Sequence, residues 1–219
     1  MIPLPAARSR PLRQAISLFS ITALGLVLAP QAARAQALEQ ALLATPAQAL
    51  ARDASQSGDA RRGAIVFYQA YMACTKCHSE QASRQRIGPD LTALEPKPSD
   101  EQLVDSVLRP SKQIRQGYQT VTVTTVSGRV VVGLLVEKND QALVLRDAAK
   151  NFEPLRIPLD DIDEELPSDK SIMPAGQVNV LASRQQFLDL IRYLMDIRDG
   201  GRRRARELEP PPALYATAP

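Results

Sequence analysis

Cys74-Thr75-Lys76-Cys77-His78 is the stretch on which the reading of this chain turns, because it gathers both cysteines and the only histidine of the 219 residues. Just upstream, Gly63, Val66 and Phe67 fall on one face of a short helix that stops before Cys74. Downstream, residues 79–98 form a loop punctuated by Gly88-Pro89 and by Pro96 and Pro98. A disulfide between two cysteines spaced like this would close only a tiny loop, and the entropy such a bridge removes from the unfolded chain grows with loop size. A thioredoxin-like redox pair expects its motif at the start of a helix in a βαβ unit, whereas here a helix precedes it. A closed zinc site needs four ligands, and the sequence has no second Cys/His pair to complete one.

Working outward, Ser99 with Gln102 three residues later is a capping-box signature, and Leu103, Val104, Val107 and Leu108 continue it as a short amphipathic helix until Pro110. Residues 118–159 change period: Thr and Val alternate from Thr120 to Val126, Ser127-Gly128 turns the chain, and further runs follow at 130–136, 143–145 and 155–159. A period of two predicts a small antiparallel β-meander. Residues 160–165 read as an acidic run, and 167–176 as a loop holding Met173-Pro174. Ser183 and Gln186 open a second capping box; Phe187, Leu190, Ile191 and Leu194 then repeat at helical spacing until Gly200. Residues 36–58 form a helical or flexible leader, and 200–219, with Arg202 to Arg206 and three consecutive prolines, a disordered basic tail. The expected fold class is mainly α: a helical domain over 59–199 with the meander of 118–159 inserted.

Residues 1–35 read as a secretory signal peptide. Arg8, Arg10 and Arg13 give a basic start, residues 15–28 are apolar but for Ser17, Ser20 and Thr22, and Ala33-Arg34-Ala35 fits a cleavage site. The apolar run is short for a bilayer span, so the membrane is expected to matter only through an uncleaved signal. Removing these residues takes four arginines and no acids, so 27 basic against 24 acidic residues becomes 23 against 24. A near-neutral remainder without a Lys/Arg stripe offers no electrostatic footprint for nucleic acid. About 180 residues suffice for one domain with a real core.

C-x-x-C-H is also the order that marks covalent haem attachment. Its two thiols lie about one helical turn apart, where each can add across one of two neighbouring vinyl groups to give a thioether, and the adjacent imidazole then faces the iron. A second axial ligand has to come from elsewhere. Of Met72, Met173 and Met195, Met173 is preferred because it sits in a Pro-bounded loop ahead of the last helix; Met72 is too near the tether, and Met195 reads as a core thioether.

Gly63-x-x-x-Phe67, Cys74 to His78, Gly88-Pro89-Asp90-Leu91, Met173-Pro174 and Tyr193-Leu194 together resemble the class I cytochrome c family in its usual order. More closely, the chain resembles the planctomycete/verrucomicrobial-type haem-binding (c-type cytochrome) domain. That likeness adds Leu108-Arg109-Pro110-Ser111, Gly117-Tyr118 and Ser171-Ile172-Met173-Pro174, and runs from about residue 59 to 199. It implies a class I cytochrome c-like helical haem fold in which Cys74 and Cys77 hold one haem c, His78 is the proximal ligand and Met173 the distal one. It further implies that the Pro89 carbonyl accepts a hydrogen bond from the other ring nitrogen of His78, and that Gly63 and Phe67 pack against Tyr193 and Leu194.

These readings lead to an exported, periplasmic, monohaem c-type cytochrome that carries single electrons and is not an enzyme. A His/Met-ligated iron has no vacant position for a substrate, and a thioether ligand raises the potential. The expected partners are redox proteins: a periplasmic dehydrogenase as donor, a terminal oxidase or another cytochrome as acceptor. Two alternatives stand beside this: a haem protein with an open distal site, acting as a gas sensor or peroxidase, and a haem-free exported domain with a Cys74–Cys77 bridge.

Overall fold

The computed structural model describes residues 31–79, 85, 87–147, 150 and 152–215. Within them two apolar clusters form from the two periodicities, one between helices and one on a sheet. The helices are α1 (Gln31–Ala44), α2 (Ala47–Ser57), α3 (Ala60–Tyr68), α4 (Cys74–His78), α5 (Asp100–Leu108) and α6 (Arg184–Leu208). Short polar side chains start three of them. Asp59 accepts the Arg62 N–H at 2.9 Å, Ser99 and Gln102 close a reciprocal capping box, and Ser183 accepts the Gln186 N–H at 3.3 Å. The leader, residues 36–58, is helical here, and Leu42 and Leu50 are buried in the main core.

The helical core is organised by α3 crossing α6. A side chain on Gly63 would put its Cβ 1.9 Å from the Asp189 carbonyl oxygen and 2.8 Å from the Tyr193 Cβ, so the two backbones touch where glycine leaves room. Phe67 lies over Tyr193 with ring centroids 5.2 Å apart, in a tilted arrangement that aromatic quadrupoles favour. Met195, 5% exposed, is a core thioether of α6.

One carboxylate is sealed into this crossing. Asp189 is 2% exposed and accepts four hydrogen bonds: from the Asp59 N–H at 2.8 Å, from Arg62 at 2.8 and 3.1 Å, and from Gln185 at 2.8 Å. It therefore ties the first turn of α3 to α6. Burial pushes its pKa up, but these hydrogen bonds and the Arg62 charge outweigh burial and hold it below the usual carboxylate range. Asp189→Ala is expected to cost about 2–3 kcal/mol, since it removes bonds to a charged acceptor and leaves the part-buried Asp59 N–H without one. The depressed value means that this stabilisation is complete above the unfolded-state pKa, near pH 4, and is lost as pH falls through the folded value. Asp189→Asn should flatten that acid limb of a urea-midpoint profile.

The sheet consists of β1 (Thr120–Thr125), β2 (Val130–Lys138), β3 (Ala142–Asp147), β4 (Glu153–Pro158) and β5 (Ile162–Pro167), antiparallel throughout in the order β4-β3-β2-β1-β5. Val121, Val123, Val131, Leu143, Leu145 and Ile157 share one face and pack on one another as a separate core. This corrects the expectation of a mainly α, class I cytochrome c-like fold: strands make up 20% and helices 46%, and the chain is a mixed helix-and-sheet protein. The sheet is larger than an inserted meander because residues of the acidic run add an edge strand to it. Residues 162–167 pair along β1, with Thr122 opposite Leu166 and Val123 opposite Glu165. Ile162 and Glu165 are half-buried there and the other four residues exposed, so this edge strand lacks the alternation that betrays a strand in sequence.

The tail, expected to be disordered, is instead folded as far as it is described. α6 does not end at Gly200; the path breaks at Gly201, with φ 63 and ψ −158, and resumes as helix to Leu208, which is 3% exposed in the helical core. Arg204 reaches back to Asp196 at 2.6 Å, and Gln69 donates to the Leu214 carbonyl at 3.1 Å. Most of the expected signal, residues 1–30, lies outside the described residues, while 31–35 fall within α1. Among the described residues no helix is long and apolar enough to cross a membrane.

Candidate functional site

α4 is a single turn, and the chain enters it through Ala73 in the left-handed region, φ 56 and ψ 11. That conformation costs an L-residue roughly 1–2 kcal/mol and turns the chain sharply from the end of α3 into Cys74. The turn is closed by Met72 and Ala73 N–H bonds to the carbonyls of Gln69 and Ala70, at 3.0 and 3.2 Å. Cys74 packs against the helical core, with its thiol 3.6 Å from the Met72 carbonyl. Both cysteines are free thiols, separated by three positions on one turn of helix.

A second segment closes over this turn. A Cβ on Gly88 would sit 2.5 Å from the Cys77 carbonyl oxygen and 3.2 Å from the Cys77 Cβ, so only a glycine lets the loop lie directly on the motif. The next residue uses that proximity: the Pro89 carbonyl oxygen is 3.1 Å from Nδ1 of His78. A carbonyl can only accept, so the proton belongs on Nδ1 and the lone pair on Nε2. Burial lowers the His78 pKa, with the Pro89 carbonyl acting in the opposite sense, so the ring is neutral at pH 7. Burial also pushes the Cys74 thiol up to about 12 and raises that of Cys77. Protonated thiols are the opposite of the low-pKa thiolate that a dithiol redox pair needs.

Met173 lies on a different loop, half-buried. Its N–H donates to the Ser171 hydroxyl at 3.1 Å, and the Ser171 N–H to the Ser111 hydroxyl at 3.0 Å, which fastens the loop to the turn after α5. The far end of the loop is tied to the motif: Gln177 donates to the Met72 carbonyl at 3.0 Å, two residues before Cys74. The structure thus clusters Cys74, Cys77, His78 and Pro89, and connects the Met173 loop to them through Met72. Met72 itself is 1% exposed, inside the helical core.

Three residues at the site went unread in the sequence as site residues. Asp90 accepts from both the Thr92 N–H, at 2.9 Å, and the Thr92 hydroxyl, at 2.6 Å, a turn that Asp-x-Thr spacing could have signalled. Arg202 pairs with the other Asp90 oxygen at 2.9 Å, and Gln177 holds Met72; no local pattern announces either. Among the described residues no three or more His, Cys, Asp and Glu side chains are arranged to hold a metal ion, and the donors at the motif are one imidazole and two thiols. The sequence matches no family model and no curated protein.

Proposed function

We propose that this protein is an exported monohaem c-type cytochrome that relays single electrons between redox proteins. The observation that carries the reading is the state of His78. In a C-x-x-C-H turn, Nδ1–H is directed at the Pro89 carbonyl, and the imidazole is neutral with its lone pair on Nε2. This is the arrangement in which a second-shell acceptor fixes the tautomer of a metal-ligating histidine.

The residues present fit a haem on chemical grounds. Cys74 and Cys77 would hold the porphyrin through thioethers, His78 would ligate the iron, and Met173 would supply the sixth ligand. When bound, the haem supplies one-electron chemistry at a potential raised by the thioether sulfur. The chain's own contributions are then to fix the ring of His78, to hold the Met173 loop through Ser111 and Met72, and to bury Cys74 against the helical core. Its partners would be a periplasmic dehydrogenase as donor and an oxidase or second cytochrome as acceptor, docking through small, weak interfaces. The basic, apolar start of the sequence supports export.

A reduced-minus-oxidised spectrum of the protein, matured in a host competent for haem attachment, tests this reading. A low-spin, six-coordinate haem in both oxidation states is expected. Met173→Ala is expected to change both spectra, because a sulfur ligand is exchanged for water or nothing. Unchanged spectra would make the distal site open and turn the assignment toward gas sensing or peroxidase chemistry.

A further inference from the structure

The segment after Gly201 touches the loop that holds His78. Gly201 adopts φ 63 and ψ −158, a combination essentially confined to glycine, and a Cβ there would have only the Thr92 carbonyl oxygen nearby, at 3.6 Å. The glycine is therefore needed for direction rather than for space. The direction it sets places the guanidinium of Arg202 on Asp90 at 2.9 Å. Asp90 in turn holds Thr92 through its other oxygen and accepts the Ala93 N–H at its own carbonyl, 3.1 Å away, which folds 90–93 into a tight turn. That turn follows immediately on Pro89, whose carbonyl fixes the His78 ring. Beyond Arg202 the segment is anchored independently, by Arg204 on Asp196, by buried Leu208 and by Gln69 on Leu214.

We propose that residues 201–215 form a strap over the Gly88–Asp90 loop, and that Arg202 is a positioning residue for His78, acting through Asp90 and the Pro89 carbonyl. The strap holds the carbonyl in line with Nδ1–H and so sets how strongly the imidazole donates to a bound iron. The consequence for haem rests on the cytochrome reading; the mechanical coupling does not. The Arg202–Asp90 pair is more than half exposed on the arginine side, so its own strength is that of a surface ion pair and its effect is local.

The test compares full-length wild type with Arg202→Ala, Arg202→Lys, Asp90→Asn and the Arg202→Ala/Asp90→Asn double variant. It reads amide exchange at Thr92 and Ala93 and the midpoint potential of the attached haem. Arg202→Ala should speed exchange about two- to fivefold, as loss of a surface pair allows. It should also raise the potential, because a slacker Nδ1–H bond makes the imidazole a poorer donor to ferric iron. Arg202→Lys should restore most of both, and the double variant should be no worse than Asp90→Asn. Wild-type exchange in Arg202→Ala, additive effects in the double variant, or faster exchange with an unmoved potential would each overturn the proposal. A colourless protein would instead defeat the haem reading, while the exchange arm would still report on the strap.

Discussion

Gly63→Ala is expected to lower the unfolding free energy by about 3 kcal/mol, the upper end of what an added methyl costs in a packed interior. Two effects oppose each other. Alanine is intrinsically the better helix former by about 1 kcal/mol, which on an exposed face would make this substitution stabilising. At position 63 the new Cβ would fall 1.9 Å from the Asp189 carbonyl oxygen and 2.5 Å from its carbon. Those are backbone atoms of α6 and cannot rotate aside, so α3 has to move away from its partner helix. That shift loosens the Phe67–Tyr193 contact and the hydrogen bonds on Asp189 together. Urea unfolding with the slope held fixed checks the figure. A midpoint within error of wild type would mean that the helices cross elsewhere.

The other large effect is chemical. Replacing Cys74 and Cys77 together by alanine is expected to abolish all pigment that survives denaturation, while either single substitution leaves at most one thioether. The free chain should tolerate these changes structurally, since both residues are small and sit on a one-turn helix at the margin of the core. Retention of covalent colour in the double variant would remove the role assigned to the motif. With the Cys74 thiol pushed up to about 12 by burial, the folded chain presents almost no thiolate at neutral pH.

What could be read before folding followed from local physics. The boxes at Ser99 and Ser183, the alternation of Thr120–Thr125, and the five-residue Cys/His cluster are each written within a few positions of sequence. Even there the second box is incomplete, because the Gln186 side chain accepts from the Ala182 N–H at 2.8 Å rather than from its cap residue. Features that depend on pairing outside the local stretch leave no mark in the sequence around them. β5 looks like an acidic loop because both faces of an edge strand meet water, and only its register with β1 makes it a strand. Arg202 and Arg204 look like part of a solvated tail because the acids they reach back to, Asp90 and Asp196, lie 112 and 8 residues earlier in the chain. Asp189 looks like one more polar position on a helix until Arg62 and the α3 amino terminus arrive from 127 and 130 residues away.

The most direct measurement is the mass of the intact, denatured protein after expression with a haem-attachment system. The expected mass is that of the polypeptide plus one haem, held by Cys74 and Cys77 and carried by the peptide spanning them after proteolysis. A polypeptide mass alone, from a colourless protein made under conditions that attach haem to a control cytochrome, would contradict it.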